Sequence, residues 1–167
     1  RAMLLTFDDG WADNVDHALP ELRKAGMPAL MFVVADAVGR RQPFWQERLI
    51  AAWRRGLVSV QGIASRMPPE SGEGQDDASE GLPALRQLIA RLETLPAGMR
   101  SEVLAPFEAV MDDGLRHMVE ARQLLELREG GVALGLHGKS HVPMTRAPDL
   151  DAELGGAREA LAGSLQV

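Results

Sequence analysis

Two short apolar runs separated by one helix-length segment constrain the fold most. The runs "MLLTF" at 3–7 and "ALMFVVA" at 29–35 have the length and the branched or aromatic composition of strands buried on both faces. The segment at 12–26 carries apolar residues at helical spacing and stops at a glycine, Gly26. The order strand, helix, strand predicts an α/β fold with a parallel strand pair and a right-handed crossover.

The rest of the chain contains a third strand candidate, "VALGL" at 132–136, and is otherwise mostly helical. Apolar residues at three-to-four spacing predict helices at 44–55, 82–94, 100–111, 117–129 and about 150–163. The segment at 65–81 is polar, acidic and rich in Gly, Pro and Ser, which is typical of a surface loop. Three strands cannot close a barrel, for which about eight are usual. We therefore expect a small open sheet or an incomplete barrel.

Composition and charge exclude several classes of function. The 167 residues, 46% hydrophobic and 25% charged, suit one globular domain with a real core. A formal charge of -6 argues against binding to nucleic acid or to anionic lipid. Cysteine is absent, so a metal would have to be bound by His, Asp or Glu. No apolar stretch reaches the roughly 18 residues of a membrane span, so none is expected.

Two adjacent carboxylates, Asp8 and Asp9, follow the first strand candidate, and Gly10 permits a turn there. Ligand sites of α/β sheets form at the carboxyl ends of strands, so this position favours a functional site. The same triplet at 112–114 follows a helical pattern and indicates a solvated helix end, and the Asp pair at 76–77 lies in the polar loop. A bare Asp doublet can also be a turn or a helix N-cap.

The third strand candidate ends in "GLHGKSHVPMT", which places His137 and His141 four residues apart. Two neutral imidazoles at this spacing can face one point, and imidazole suits zinc and other divalent first-row metals. Parallel strands bring their carboxyl ends to the same edge of the sheet. The sequence therefore predicts a site of carboxylates and imidazoles at that edge.

Two other interpretations of the same stretch are weaker. "ALGLHGKS" nearly matches a phosphate-binding loop, but Ala133 replaces its first glycine, and Pro143 and Pro148 disfavour the helix that such a loop needs. The residues around Ser140 do not form the G-x-S-x-G elbow of a serine hydrolase.

"TFDDG" at 6–10 and "HGKSH" at 137–141 resemble the first two motifs of the polysaccharide deacetylases of carbohydrate esterase family 4, the NodB homology domain. The resemblance implies that Asp9, His137 and His141 bind one divalent metal ion and that Asp8 is the catalytic base. Zinc is the expected ion, and this ligand set also tolerates cobalt, nickel or manganese.

The resemblance also implies a fold and a reaction. We expect residues 1–167 to form a single domain truncated at both ends, as an incomplete deformed (β/α) barrel with a helical insertion at about 40–112. The expected enzyme is a hydrolase that removes acetyl groups from an N-acetylated or O-acetylated sugar or polysaccharide. Trp11, just after the first motif, and Phe44 and Trp45 could offer stacking surfaces for the sugar rings of this carbohydrate partner, and the alternative for each of them is a place in the core.

The sequence departs from the family pattern in two respects. The later family motifs, with an Arg that orients the base and a His that acts as general acid, would follow Val167. The two remaining histidines of the chain, His17 and His117, are predicted to be surface residues. Gly138 replaces the usual hydroxyl residue of the second motif, which removes a possible hydrogen bond near the metal.

Three alternatives stay open at this point. The first is a catalytically silent carbohydrate-binding or interaction module of the same fold, and the second is a deacetylase of a small non-sugar amide. The third is an α/β domain in which Asp8 and Asp9 cap a helix and the His pair is structural. Cellular location and oligomeric state are not predicted by these residues.

Overall fold

The computed structural model describes residues 3–68 and 81–165. The chain divides into two compact units, which are described separately. The sheet unit comprises Arg1–Pro43 and Leu115–Val167, and the helical unit comprises Phe44–Gly114. Most of the polar segment predicted to be a loop, including Asp76 and Asp77, lies outside the described residues. That the helical unit is an insertion stays a prediction.

The described residues form three strands and eight α-helices. The strands are β1 (Leu5–Phe7), β2 (Ala29–Val33) and β3 (Val132–Leu136). The helices are α1 (Leu19–Ala25), α2 (Trp45–Arg54), α3 (Val60–Ala64), α4 (Leu82–Thr94), α5 (Ala97–Leu104), α6 (Glu108–Met111), α7 (Ala121–Glu129) and α8 (Leu150–Leu165). A π-helical turn at Asn14–Ala18 leads into α1, and single 3-10 turns lie at Ala35–Ala37, Ala105–Phe107 and Met144–Arg146.

The three strands form one parallel sheet in the order β1-β2-β3, as the strand, helix, strand pattern predicts. Leu5 of β1 lies opposite Ala29 of β2, and Val33 of β2 lies opposite Leu136 of β3. All three strands therefore end at the same edge of the sheet. This α/β arrangement agrees with the predicted class, whereas a barrel shape stays a prediction.

Helices cover one face of this sheet. The core of the sheet unit is built from alternate residues of β2 together with apolar side chains of α1, α7 and α8: Ala29, Met31 and Val33 with Leu19, Leu22, Leu124, Leu127, Ala157 and Leu161. The predicted burial on both faces is wrong for β1, where Leu5 is 37% exposed, and for β2, where Leu30 and Phe32 are half-buried. The reason is that, among the described residues, the helices of this core pack on the face of Ala29, Met31 and Val33.

The helices differ from the sequence prediction in three main respects. The single helix predicted at 100–111 is divided into α5 and α6 by the 3-10 turn at Ala105–Phe107. Helix α7 begins at Ala121 instead of 117, because Met118 forms an antiparallel bridge with Trp11. Helix α3 was not predicted, although it has a readable N-cap: the Ser59 hydroxyl accepts a hydrogen bond from the Gly62 amide at 3.0 Å. The bounds of α4 and β3 agree with the prediction.

The helical unit has its own apolar core, made of Leu49, Ala52, Val58, Ile63, Leu85, Leu88, Leu92, Val103, Leu104 and Met111. Phe44 is buried, which agrees with the alternative of a core residue and not with a surface offered to a sugar. The guanidinium of Arg100 lies over the ring of Trp45, 5.1 Å from its centroid, and therefore covers part of that ring face. No helix in the described parts of the chain is both long and apolar enough to cross a bilayer.

Candidate metal centre

A tight turn at the end of β1 positions the Asp pair. The Gly10 amide donates to the Asp8 carbonyl at 2.9 Å, and Asp9 between them has the left-handed φ of 72°. Gly10 has a φ of 90°, and a Cβ at this residue would lie 3.2 Å from Cγ1 of Val33. Only glycine suits both constraints. The turn leaves Asp8 exposed, whereas the side chain of Asp9 is 20% exposed.

The loop after β3 is docked against the residues that follow β2. His137 continues the sheet, since its amide donates to the Val33 carbonyl at 2.8 Å. The carbonyls of Gly138 and Lys139 then accept hydrogen bonds from the amides of Ala35 and Asp36, at 3.1 and 2.9 Å. The loop is therefore fixed to the edge of the sheet where β1 also ends.

Asp9, His137 and His141 come together at this edge. Oδ1 of Asp9 lies 3.4 Å from Nε2 of His137 and 3.3 Å from Nε2 of His141, and the three possible ligand atoms lie within 4.8 Å of one another. The side chains of His137 and His141 are 40% and 28% exposed, which leaves one side of the cluster accessible to solvent.

The chemistry of this donor set fits a divalent metal ion. Oδ1 of Asp9 is buried and accepts no hydrogen bond from the described residues. A buried oxygen without a partner is costly, and a cation among one carboxylate oxygen and two imidazole nitrogens would satisfy it. The fold thus brings together the three residues that were predicted as metal ligands. Their role as ligands stays a prediction.

Trp11 holds the other oxygen of Asp9. Its indole Nε1 donates to Oδ2 of Asp9 at 3.3 Å, and its ring meets the His117 ring edge-on, with 6.5 Å between the centroids. The backbone is tied to the same segment, since the Ala12 amide donates to the His117 carbonyl at 2.7 Å. Trp11 therefore orients the Asp9 carboxylate, and its contact with a sugar stays a prediction.

The two remaining histidines differ in exposure. His17 is exposed, which confirms the prediction for this residue. His117 is half-buried, so its prediction as a surface residue is wrong. Its backbone explains the difference, because the His117 amide donates to the Arg41 carbonyl at 2.8 Å and the His117 carbonyl accepts from the Ala12 amide at 2.7 Å, so the residue is held between two other segments of the sheet unit.

Glu153 of α8 is a residue near the site that sequence reasoning missed. Its Oε2 accepts hydrogen bonds from the amides of Lys139 and Ser140, at 2.9 and 3.1 Å, and its Oε1 accepts one from the Ser140 hydroxyl. Glu153 is 8% exposed and shares a helix face with the core residues Ala157 and Leu161. An acidic residue within the apolar stripe of a helix is the sequence signal that could have identified it.

The hydrogen bonds at Glu153 also decide its ionisation. Burial raises the pKa of this carboxyl, but the hydrogen bonds from the Ser140 hydroxyl and from the Ser140 and Lys139 amides outweigh burial. The pKa of Glu153 therefore lies below its usual value, and the group is a carboxylate at neutral pH.

The structure explains why a glycine, Gly138, stands where the second motif usually has a hydroxyl residue. Gly138 has a φ of 77°, and a Cβ there would lie 3.0 Å from Cε of Met144 and 3.4 Å from Oε2 of Glu153. A hydroxyl residue would be strained in this backbone conformation. The loop nevertheless contains a hydrogen-bonded hydroxyl, that of Ser140.

Comparison with known proteins gives the family. The family model described as "Polysaccharide deacetylase" matches residues 1–88, which is more than half of the chain. The chain belongs to the polysaccharide deacetylase family. The match includes the turn with Asp8 and Asp9, whereas His137 and His141 lie outside it.

A curated relative supports the same family. The chain is 33% identical over 57 residues to the Bacillus subtilis (strain 168) protein "Putative polysaccharide deacetylase YxkH". This stretch covers 34% of the present chain and 20% of the relative. No solved structure matches the chain.

Proposed function

We propose that this polysaccharide deacetylase domain is part of a metal-dependent enzyme that removes acetyl groups from an N-acetylated or O-acetylated sugar or polysaccharide. The observation that carries the proposal is the cluster of Asp9, His137 and His141, in which the buried Oδ1 of Asp9 accepts no hydrogen bond from the described residues. It lies where the carboxyl ends of β1 and β3 meet, which is where ligand sites of α/β sheets form.

Asp9, His137 and His141 would hold the ion. Two imidazoles and one carboxylate leave coordination positions open, as catalytic metal sites require. Zinc suits these ligands best, and cobalt, nickel or manganese are alternatives. A divalent ion in this position supplies a Lewis acid that polarises a carbonyl group and lowers the pKa of water.

Asp8 is the residue proposed as the general base. It lies next to the proposed ligand Asp9 at the end of β1, and it is exposed, so its carboxylate is open to solvent and substrate. As a water oxygen forms a bond to the acetyl carbonyl carbon, Asp8 would accept the proton. The bond between that carbon and the sugar nitrogen then breaks, and the proton passes to the leaving amine, so that acetate and the free amine are produced.

The substrate side of the proposal rests on the family and on residues close to the ligands. Trp11 contacts the proposed ligand Asp9 and His117, and it is half-buried. Aromatic rings bind sugars through their apolar faces, so the exposed part of this indole could contact a sugar ring. The negative net charge also favours a neutral or cationic carbohydrate over a polyanion.

Metal content and acetate release test this proposal together. The protein is dialysed against EDTA, reloaded with zinc and measured by elemental analysis, and acetate release is assayed on N-acetylated chitooligosaccharides. We expect about one ion per chain in the wild type and its loss in Asp9→Ala and in His141→Ala. In a chain that carries all family motifs, Asp8→Asn should keep the ion and lose turnover by about 100-fold or more.

Asp16→Asn is the matched control for Asp8→Asn, because Asp16 is an exposed acid of the same unit outside the cluster. It should keep both the ion and the turnover. A folded wild type that binds no zinc would contradict the metal site. Zinc binding without acetate release, in a chain that carries all family motifs, would favour the silent carbohydrate-binding module.

A further inference from the structure

We propose that Glu153 is a positioning residue for the metal ligands, and that it fixes the loop between His137 and His141 in the conformation that binds the ion. The inference rests on the metal site of the proposed function and extends it to a residue of α8. Glu153 itself lies on a helix outside both motifs and would not touch the metal.

All contacts of the Glu153 carboxylate go to the loop that carries the two histidines. Both amides that it binds, at Lys139 and Ser140, belong to the three residues that separate His137 from His141. The Ser140 hydroxyl occupies its second oxygen. One carboxylate thus orders two consecutive peptide groups and one side chain, and charge-assisted hydrogen bonds of this kind are stronger than neutral ones.

The same loop is held from its other side by the backbone. The carbonyls of Gly138 and Lys139 accept hydrogen bonds from the residues that follow β2, whereas its amides have Glu153 as their partner. The 3-10 turn after β2 therefore satisfies the acceptors of the loop, and α8 satisfies its donors. Without Glu153, the loop would keep its acceptor bonds and lose the donor bonds of Lys139 and Ser140.

The backbone conformation of His141 explains why the loop needs this support. Its φ of 67° is unfavourable for a residue with a side chain, and such a conformation persists only where the surroundings enforce it. Glu153 acts on Ser140, the residue directly before His141. The bond fixes the Lys139–Ser140 peptide group and thereby restrains the loop one residue before His141.

The competing explanation is that Glu153 only anchors α8 to the loop and has no influence on the metal site. Glu153 is buried beside core residues of α8, so its hydrogen bonds also attach that helix to the loop. An anchor would change the stability of the fold but not the metal affinity of the folded protein. Metal affinity under native conditions therefore separates the two explanations.

The test uses Co²⁺ as the probe, with the dissociation constant from calorimetry and the coordination geometry from the visible d–d absorption. Glu153→Leu removes all three acceptor contacts and should weaken Co²⁺ binding by about 10- to 100-fold, as loss of outer partners does at other metal sites. Glu153→Gln should recover part of the affinity, because its amide oxygen can still accept from both backbone amides. Glu159→Leu is the matched control, since Glu159 is exposed on the same helix and should bind Co²⁺ like the wild type.

Each possible result bears either on the positioning role of Glu153 or on the metal site itself. Wild-type affinity and an unchanged Co²⁺ spectrum in folded Glu153→Leu would overturn the positioning role. If Glu153→Leu does not fold, Ser140→Ala decides instead: a loss of roughly threefold or more, restored in Ser140→Thr, supports the role, and no loss overturns it. Absence of Co²⁺ binding in the wild type would contradict the proposed function itself, which is a different result.

Discussion

The left-handed backbone at His141 predicts that glycine is tolerated there better than alanine. Alanine and glycine both remove the imidazole, but only glycine adopts a φ of 67° without strain. His137 serves as the matched control, because it is a ligand candidate of the same type without a positive φ. The comparison is therefore between the alanine-to-glycine change at His141 and the same change at His137.

The magnitude follows from two opposing terms. At His137 glycine should destabilise the fold relative to alanine by about 0.4–1 kcal/mol, because glycine increases the conformational freedom of the unfolded chain. At His141 the same cost is offset by relief of about 1–2 kcal/mol of left-handed strain. Glycine at 141 should thus be more stable than alanine by about 0–1.5 kcal/mol, and the two positions should differ by about 1–2 kcal/mol.

Native-state hydrogen exchange of the β2 amides, in EDTA, measures this difference. These amides lie in the middle strand, and those that exchange only through opening of the whole sheet unit report its free energy of unfolding. Zinc titration of the same four variants should show weakened binding in all of them. An equal cost of glycine at both positions would refute the argument that His141 is strained.

Three further changes have expected outcomes. Trp11→Phe keeps an aromatic ring but removes the donor to the proposed metal-binding carboxylate, so zinc affinity should fall by about 10-fold in a chelator competition assay; unchanged affinity would show that the indole does not orient that group. Glu153 binds its proton at a lower pH when folded than when unfolded, so its contribution to stability is complete above the usual glutamate pKa and is lost as the pH falls through the lower folded-state value. Urea unfolding of the metal-free protein should therefore show an acid limb that is flatter in Glu153→Gln. A Cβ at Gly130 would overlap Cδ1 of the buried Leu19, so Gly130→Ala should destabilise the fold by about 1–3 kcal/mol in the same assay, and an unchanged midpoint would mean that the core yields there.

The sequence was sufficient to predict how the ligand candidates meet, because that depends on strand direction. Two apolar runs that end in polar residues, Asp9 after β1 and His137 after β3, reach the same edge once the strands are parallel. It was insufficient for residues whose partners are distant in sequence. The bridge between Trp11 and Met118 joins segments about 100 residues apart, and no local pattern indicates it. For the same reason the half-buried state of His117 was missed.

The positive φ values at the candidate metal centre could not be predicted from the sequence either, yet they point to the same residues. Among the residues that the structure describes, Asp9 and His141 are the ones other than glycine with positive φ. Aspartate and histidine adopt this conformation more often than most residues other than glycine, but it still costs free energy for each of them. Two such residues at the ends of different strands, with their side chains 3.3 Å apart, are not explained by loop geometry alone. A folded state that keeps both strained residues side by side is expected where the side chains act together, and binding one metal ion between them is the function that this geometry favours.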